Sequence, residues 1–287
     1  MVSAAMSLLG SACSQQSANS EPGRVLGPAR ALGDGNVTSY AEFDRSGAPT
    51  TIGVVLSAGA LDGLPRTHSD GNRCFDSDGN GNIDLTRECS QWHEFVLPLP
   101  SDASRRADIP FKWALFNWNP YGHIPADVWD SPHFDVHFYI EPIENVFAIQ
   151  RGPCGVEFVR CDQYERAIKP LPSNYIHPDF KDVGVVAPAM GNHLIDPSAP
   201  EFSGEPFKRH WIFGTYDGRI IFYEEMVSRD YLVSQPDACF DIKTPPAVEL
   251  SGYYPTRSCV RYSEDRDEYT VSMEGFVNRR ASQPAAQ

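Results

Sequence analysis

Residues 133–140, HFDVHFYI, constrain the fold of this chain more than any other stretch. Phe134, Val136, Phe138 and Ile140 alternate with His133, Asp135, His137 and Tyr139. That period of two is the pattern of a β-strand with two unlike faces, and aromatic and β-branched side chains suit a pleated surface. The apolar face requires a core to pack against. The polar face carries groups that titrate, donate, accept and coordinate, so it reads as one wall of a site. Just upstream, NWNPYGHIP at residues 117–125 adds His123.

Other runs of the same kind read as strands: residues 37–43, 51–57, 92–99, 111–118, 207–216, 219–227, 260–263 and 268–277. Asp217-Gly218 between two alternating runs is a strong two-residue hairpin signal. Pro142 is suited to opening a short helix over residues 143–150, and residues 85–92 are a second helical candidate. The Pro-rich passage 169–178 reads as irregular chain packed on the body. Many strands and few helices predict a mainly β (α+β) fold, an antiparallel barrel or strongly curved sheet with one or two short helices. Closure is favoured because open sheet edges invite pairing with other chains.

The 287 residues divide into a leader and flexible tether (1–36), one β-rich domain (37–280) with an insertion at 68–91, and a disordered tail (281–287). The tether reading rests on the Ser, Gln, Gly and Pro content of residues 14–36. Lys and Arg number 24 against 38 Asp and Glu, a net charge of −14. Such a surface disfavours nucleic acid and anionic lipid as partners. No apolar run reaches membrane-spanning length. MVSAAMSLLGSAC followed by a polar stretch is similar to the end of a bacterial lipoprotein signal, with Cys13 as the lipid-anchored residue. Gly10 stands where such signals usually carry Leu, and no Lys or Arg precedes the apolar part. Of seven cysteines, the six after Cys13 fall as neighbours: Cys74 with Cys89, Cys154 with Cys161, Cys239 with Cys259. Six cysteines allow about 15 connectivities. Local pairing is the simplest, because each couple brackets one loop. The alternative is a set of reduced, buried thiols.

Residues 76–88, DSDGNGNIDLTRE, match an EF-hand-type loop. Asp76, Asp78, Asn80 and Asn82 stand at alternate positions, Gly81 supplies the sharp turn, Ile83 the apolar position and Asp84 a further oxygen. Arg87 occupies the place of the closing glutamate, and Glu88 follows one residue late. The expectation is a calcium loop of weak affinity, about 10⁻⁴–10⁻³ M, with a structural role. The alternative is a solvated polar turn.

His133 and His137 point the same way but sit about 13 Å apart along an extended strand, too far to share one ion unless the strand bulges or begins late. Further ligands are therefore sought elsewhere: His193 in GNHLID, His123 in YGHIP, and Glu224 in FYEEM, whose neighbour Glu225 faces the opposite way. His137, His193 and either His133 or His123 are expected to converge on one centre, with Asp135 as ligand or supporting group. Imidazole with carboxylate suits zinc or iron. Two other readings stand beside the metal: a buried His–Asp hydrogen-bond network, and a metal-free acid–base pocket in which Asp135 orients His137 as the catalytic pair. There is no nucleophile elbow, P-loop or dinucleotide fingerprint.

The runs WNPYGHIP…PHFDVHFY, MGNHLID, FGTYDGRIIFYEEM and GYYP together resemble the TTHB210-like family of exported bacterial proteins of unknown function. The likeness spans residues 37–279 or so and implies a shared fold and an extracytoplasmic, envelope location, with little implied about chemistry. The function expected is therefore an exported or lipid-anchored envelope protein with a structural calcium loop and a pocket for a metal or small ligand. The alternative is a metal-dependent or acid–base enzyme using the same pocket. The partners expected are a metal ion or small molecule, with a homo-oligomer left open.

Overall fold

The computed structural model describes residues 23–284, so Cys13 and the lipoprotein-type segment lie outside the described residues. The strands in chain order are β1 (Arg24–Leu32), β2 (Gly35–Phe43), β3 (Pro49–Ser57), β4 (His93–Pro98), β5 (Trp113–Asn119), β6 (His133–Tyr139), β7 (Arg151–Cys154) and β8 (Lys181–Ala187). They continue as β9 (Gly191–Ile195), β10 (Arg209–Tyr216), β11 (Arg219–Ser228), β12 (Asp237–Asp241), β13 (Gly252–Tyr254), β14 (Arg257–Ser263), β15 (Glu268–Glu274) and β16 (Val277–Arg279). Four short helices join them: α1 (Ser101–Ser104), α2 (Ile143–Phe147), α3 (Cys161–Ala167) and α4 (Arg229–Val233).

Strands make up 42% and helices 12%, so the fold is mainly β. Two antiparallel sheets dominate, six strands in the order β1-β2-β3-β15-β14-β12 and seven in the order β4-β5-β6-β11-β10-β9-β8. Neither closes on itself, which corrects the expected barrel. Instead the sheets face each other and share one core. Val37, Ile52, Val54 and Val271 of the first meet Phe116, Phe134, Val136, Phe138 and Phe213 of the second, all fully buried. Burying each of those phenylalanines contributes about 1.5–3 kcal/mol. Ser258 of β14 donates to Glu225 Oε2 of β11 at 2.6 Å, a polar cross-link through this layer that also engages Arg209.

Several local expectations needed correction. Arg24–Leu32, expected within the tether, is the edge strand β1, registered antiparallel on β2. Its alternation is poor because its outward positions are exposed. The predicted helix over 143–150 is α2, but residues 85–92 form a turn, an isolated bridge at Cys89 and a bend that leads into β4 instead. The start of the tail expected to be disordered is held by hydrogen bonds from Ala281 N to Ser251 Oγ and from Ser282 N to Val248 O. Asp217 and Gly218 both take positive φ, 53° and 77°, as a two-residue turn between right-twisted strands requires. The three local disulfides Cys74–Cys89, Cys154–Cys161 and Cys239–Cys259 are present, the chemistry of a non-reducing compartment. No helix among the described residues is long and apolar enough to cross a membrane.

The outer face of the seven-stranded sheet is roofed as well. Trp92, Trp129, Val146 and Met190 come from loops and α2 to pack on Leu115, Tyr139, Phe222 and Met226. Gly214 lets this face pack so closely. A Cβ there would meet the Phe222 ring at 1.9–2.2 Å, and that ring is fully buried. Gly214→Ala is therefore expected to cost about 1–3 kcal/mol through overpacking, read as a lower denaturant midpoint with an unchanged slope. An unshifted midpoint would show that the ring moves freely.

Candidate metal centre

Strand β6 divides its side chains as its alternation demands. Phe134, Val136 and Phe138 enter the inter-sheet core, while His133, Asp135 and His137 enter the roofed outer face. There a cavity of about 430 Å³ opens between the sheet and the loops. Asp135, His137, Glu224, His193 and His123 line it. Glu225 lies on the other side of β11, in the core with Arg209.

Register brings the first group together. His137 of β6 stands directly opposite Glu224 of β11. His193 of β9 pairs with Gly214, which pairs with Phe222. The Phe222 ring packs over the bare backbone of Gly214, and His193 faces Glu224. Its Nε2 lies 3.8 Å from Glu224 Oε2, and His137 Nε2 lies 3.4 Å from Oε1. The metal-ligating atoms of these three residues all lie within 4.8 Å of one another.

A second group stands beside it. Asp135 lies 3.3 Å from His133 Nε2 and 3.6 Å from His123 Nε2, and its three potential ligand atoms again fall within 4.8 Å. The expectation of one shared centre thus gives way to two groups, because His133 and His137 are held apart by the rise of a regular strand. Each group is two imidazoles and one carboxylate.

The hydrogen bonds assign the imidazole protons. Nδ1 of His123, His133, His137 and His193 faces the backbone oxygen of Ile124, Ser131, Leu115 and Val185 respectively, at 2.8, 2.7, 3.2 and 3.2 Å. A carbonyl oxygen only accepts, so each Nδ1 carries the hydrogen. In the neutral imidazole the lone pair then sits on Nε2, and all four Nε2 atoms face carboxylate oxygens. Lone pairs facing an ionised carboxylate repel unless a proton or a metal ion lies between them. The spacings are longer than charge-assisted hydrogen bonds of about 2.7–2.9 Å. They approach the roughly 3.4 Å that separates two ligands of a tetrahedral ion.

Electrostatics differ between the groups. Burial pushes the His137 imidazole down to about 3 and that of His193 down to about 4. Burial also holds the Glu224 carboxyl well above its ordinary range, and the Asp135 charge adds to this. Burial alone would raise Asp135, but His133 and His123 outweigh it and hold the carboxyl well below its usual range. Conversely, burial opposes protonation of His123, yet Asp135 prevails and raises it.

Buried polar atoms without partners gather here. They include His133 Nε2, His137 Nε2, Asp135 Oδ1, Glu224 Oε2, both polar atoms of Asn117, and the indole nitrogens of Trp92 and Trp129. Buried polar groups are normally satisfied, so such a concentration marks a place built for something the chain does not itself supply. Asn119 Nδ2 donates to Asp135 Oδ2 at 2.7 Å and orients it. Asn117 and Asn119 escaped the sequence reading, although two asparagines at alternate positions share the face of Leu115. The remaining histidines lie outside the groups: His68 stacks on Tyr121, His93 meets Thr67, His177 is near Asp179, and His210 meets Glu201.

In the loop of residues 76–88, Asp76, Asp78 and Glu88 bring ligand atoms within 4.8 Å of one another. Asn80 and Asn82 instead join a chain of short turns, with Asn80 N donating to Asp78 Oδ1 and Asn82 N to Asn80 Oδ1. Asp84 is half exposed and near Arg87. Glu88 folds back into the loop. The N–H of Asp84, the hydroxyl and N–H of Ser77 and the N–H of Asp78 donate to it, holding its carboxyl down to about 2. Because the folded value is depressed, the stability from Glu88 is present above about pH 4.5 and is lost as pH falls towards 2. Calcium-free Glu88→Gln should show a flatter melting temperature across that window than the parent protein. Parallel curves would mean that these bonds do not hold the loop.

Comparison with protein-family models, with curated proteins and with solved structures yields no match for this chain.

Proposed function

We propose that this is an extracytoplasmic metal-binding protein whose roofed cavity holds a transition-metal ion on His137, His193 and Glu224. One observation carries the reading: two buried imidazoles, each committed through Nδ1–H to a backbone carbonyl, aim bare Nε2 atoms at one buried carboxylate. Neutral imidazole plus carboxylate suits zinc or iron, not calcium. In the loop of residues 76–88, three convergent carboxylates suit a hard cation such as calcium, with the cation bracing an insertion that Cys74–Cys89 also closes. The three disulfides support an exported protein, and the lipid anchor at Cys13 and kinship with the TTHB210-like family belong to the same proposal.

A second reading is a metal-dependent enzyme. It is favoured by the ligand count beside open space. Three protein ligands facing a cavity of about 430 Å³ leave a coordination position for water or substrate, as catalytic sites do and closed structural sites do not.

Two experiments test the proposal. Protein purified without chelator should carry zinc or iron, and His137→Ala or Glu224→Gln should lower the content by one ion per chain. Metal content unchanged in both variants would return the group to a hydrogen-bond network. After chelator treatment, millimolar calcium alone should raise the melting temperature by mass action, and Asp76→Ala with Asp78→Ala should abolish the rise. An identical melting curve with and without calcium counts against the loop as a cation site.

A further inference from the structure

We propose that His123, His133 and Asp135 form a second metal site, so that the cavity holds two transition-metal ions side by side along β6. This deepens the metal-binding function above and rests on it.

The second group repeats the chemistry of the first with different residues. Both imidazoles donate Nδ1–H to backbone oxygens of one loop, His123 to Ile124 and His133 to Ser131. Their Nε2 atoms are turned on Asp135 at 3.6 and 3.3 Å. His133 is fully buried, and both its Nε2 and Asp135 Oδ1 lack any hydrogen-bond partner. A plain His–Asp bridge would close to about 2.7–2.9 Å and satisfy those atoms. The spacing suits an intervening ion better. Asn119 donates to the other oxygen of Asp135, the outer support that a ligating carboxylate usually receives.

The two groups share no ligand. Asp135 and His137 are two residues apart on one strand face, about 6.6 Å along it. Each has its own carboxylate, Asp135 for one and Glu224 for the other. Two nitrogens and one carboxylate again select a zinc- or iron-type ion. The groups differ in access. His123 is 25% exposed at the cavity mouth, whereas His137 is 1% exposed. The second ion should therefore be the first to leave under a chelator.

The test is zinc stoichiometry. The full oxidised chain is loaded with zinc in millimolar calcium to keep the loop of residues 76–88 out of the count, freed of excess by gel filtration and analysed by mass spectrometry of the metal. The parent is expected to hold two zinc ions, His123→Gln one, His137→Gln one, and the double variant none. Asp135→Asn, which keeps the side-chain shape, should also hold one, and circular dichroism checks that each variant is folded. Chelator should release zinc in two phases, with the fast phase missing from His123→Gln. One ion in the parent that His137→Gln removes and His123→Gln leaves overturns the second site while the metal function stands. One ion that either variant removes means a single shared centre and also overturns it. Two ions retained by folded His123→Gln overturn the assignment of ligands. No zinc in the parent sinks both readings.

Discussion

Four histidines each give up Nδ1–H to a backbone carbonyl, and that donation decides what the cavity is able to do. In the neutral ring it leaves the lone pair on Nε2, and every Nε2 is turned towards a carboxyl group. The accepting carbonyls come mostly from irregular chain. Ile124 and Ser131 belong to the loop between β5 and β6, and Val185 sits where the β8–β9 register shifts. A regular ladder would have spent those oxygens on neighbouring strands. A bulge or loop leaves them free for a side chain. The irregular segments are thus part of the site rather than packaging around it.

Such an arrangement is expensive for the fold. A buried polar atom without a partner costs about 1–3 kcal/mol, and several gather on one face of one sheet. The molecule bears this because that sheet packs on both sides. Its inner face meets the six-stranded sheet across the main core, and its outer face meets Trp92, Trp129, Val146 and Met190. Apolar contact above and below fixes β6 and β11 in register, and register alone sets His137 opposite Glu224.

What could be read from the sequence was what local chemistry controls. The alternation of residues 133–140 announced both faces of β6, and Asp-Gly announced the β10–β11 turn. The neighbouring cysteines pointed to pairs that close single loops. The parity of Glu224 and Glu225 indicated that only one could enter the cavity. What stayed hidden depends on non-local pairing. Nothing near Arg24–Leu32 says that β2 will accept it as an edge partner. The barrel expectation failed because edge protection does not by itself require closure; edges are also managed by short strands and covering loops. The division of the histidines into two groups was hidden for a further reason. It requires knowing that β9 pairs with β10 and so brings His193 beside Glu224, and strand pairing of that kind leaves no mark in the local sequence.

The insertion and the cavity are also mechanically joined. Glu88, the residue that closes the loop of residues 76–88, is followed directly by Cys89, Ser90, Gln91 and Trp92, and the last two line the cavity. On the far side, the Cys154–Cys161 loop contributes Glu157 to the same lining. Arg151 ties the two sides together by donating to Ser90 Oγ at 3.1 Å. Two of the three disulfides therefore brace the roof, not the sheets beneath it. A roof of loops without such braces would open and close readily, since loops have few buried contacts of their own. Bracing it ties the order of the cavity wall to the loop that gathers Asp76, Asp78 and Glu88.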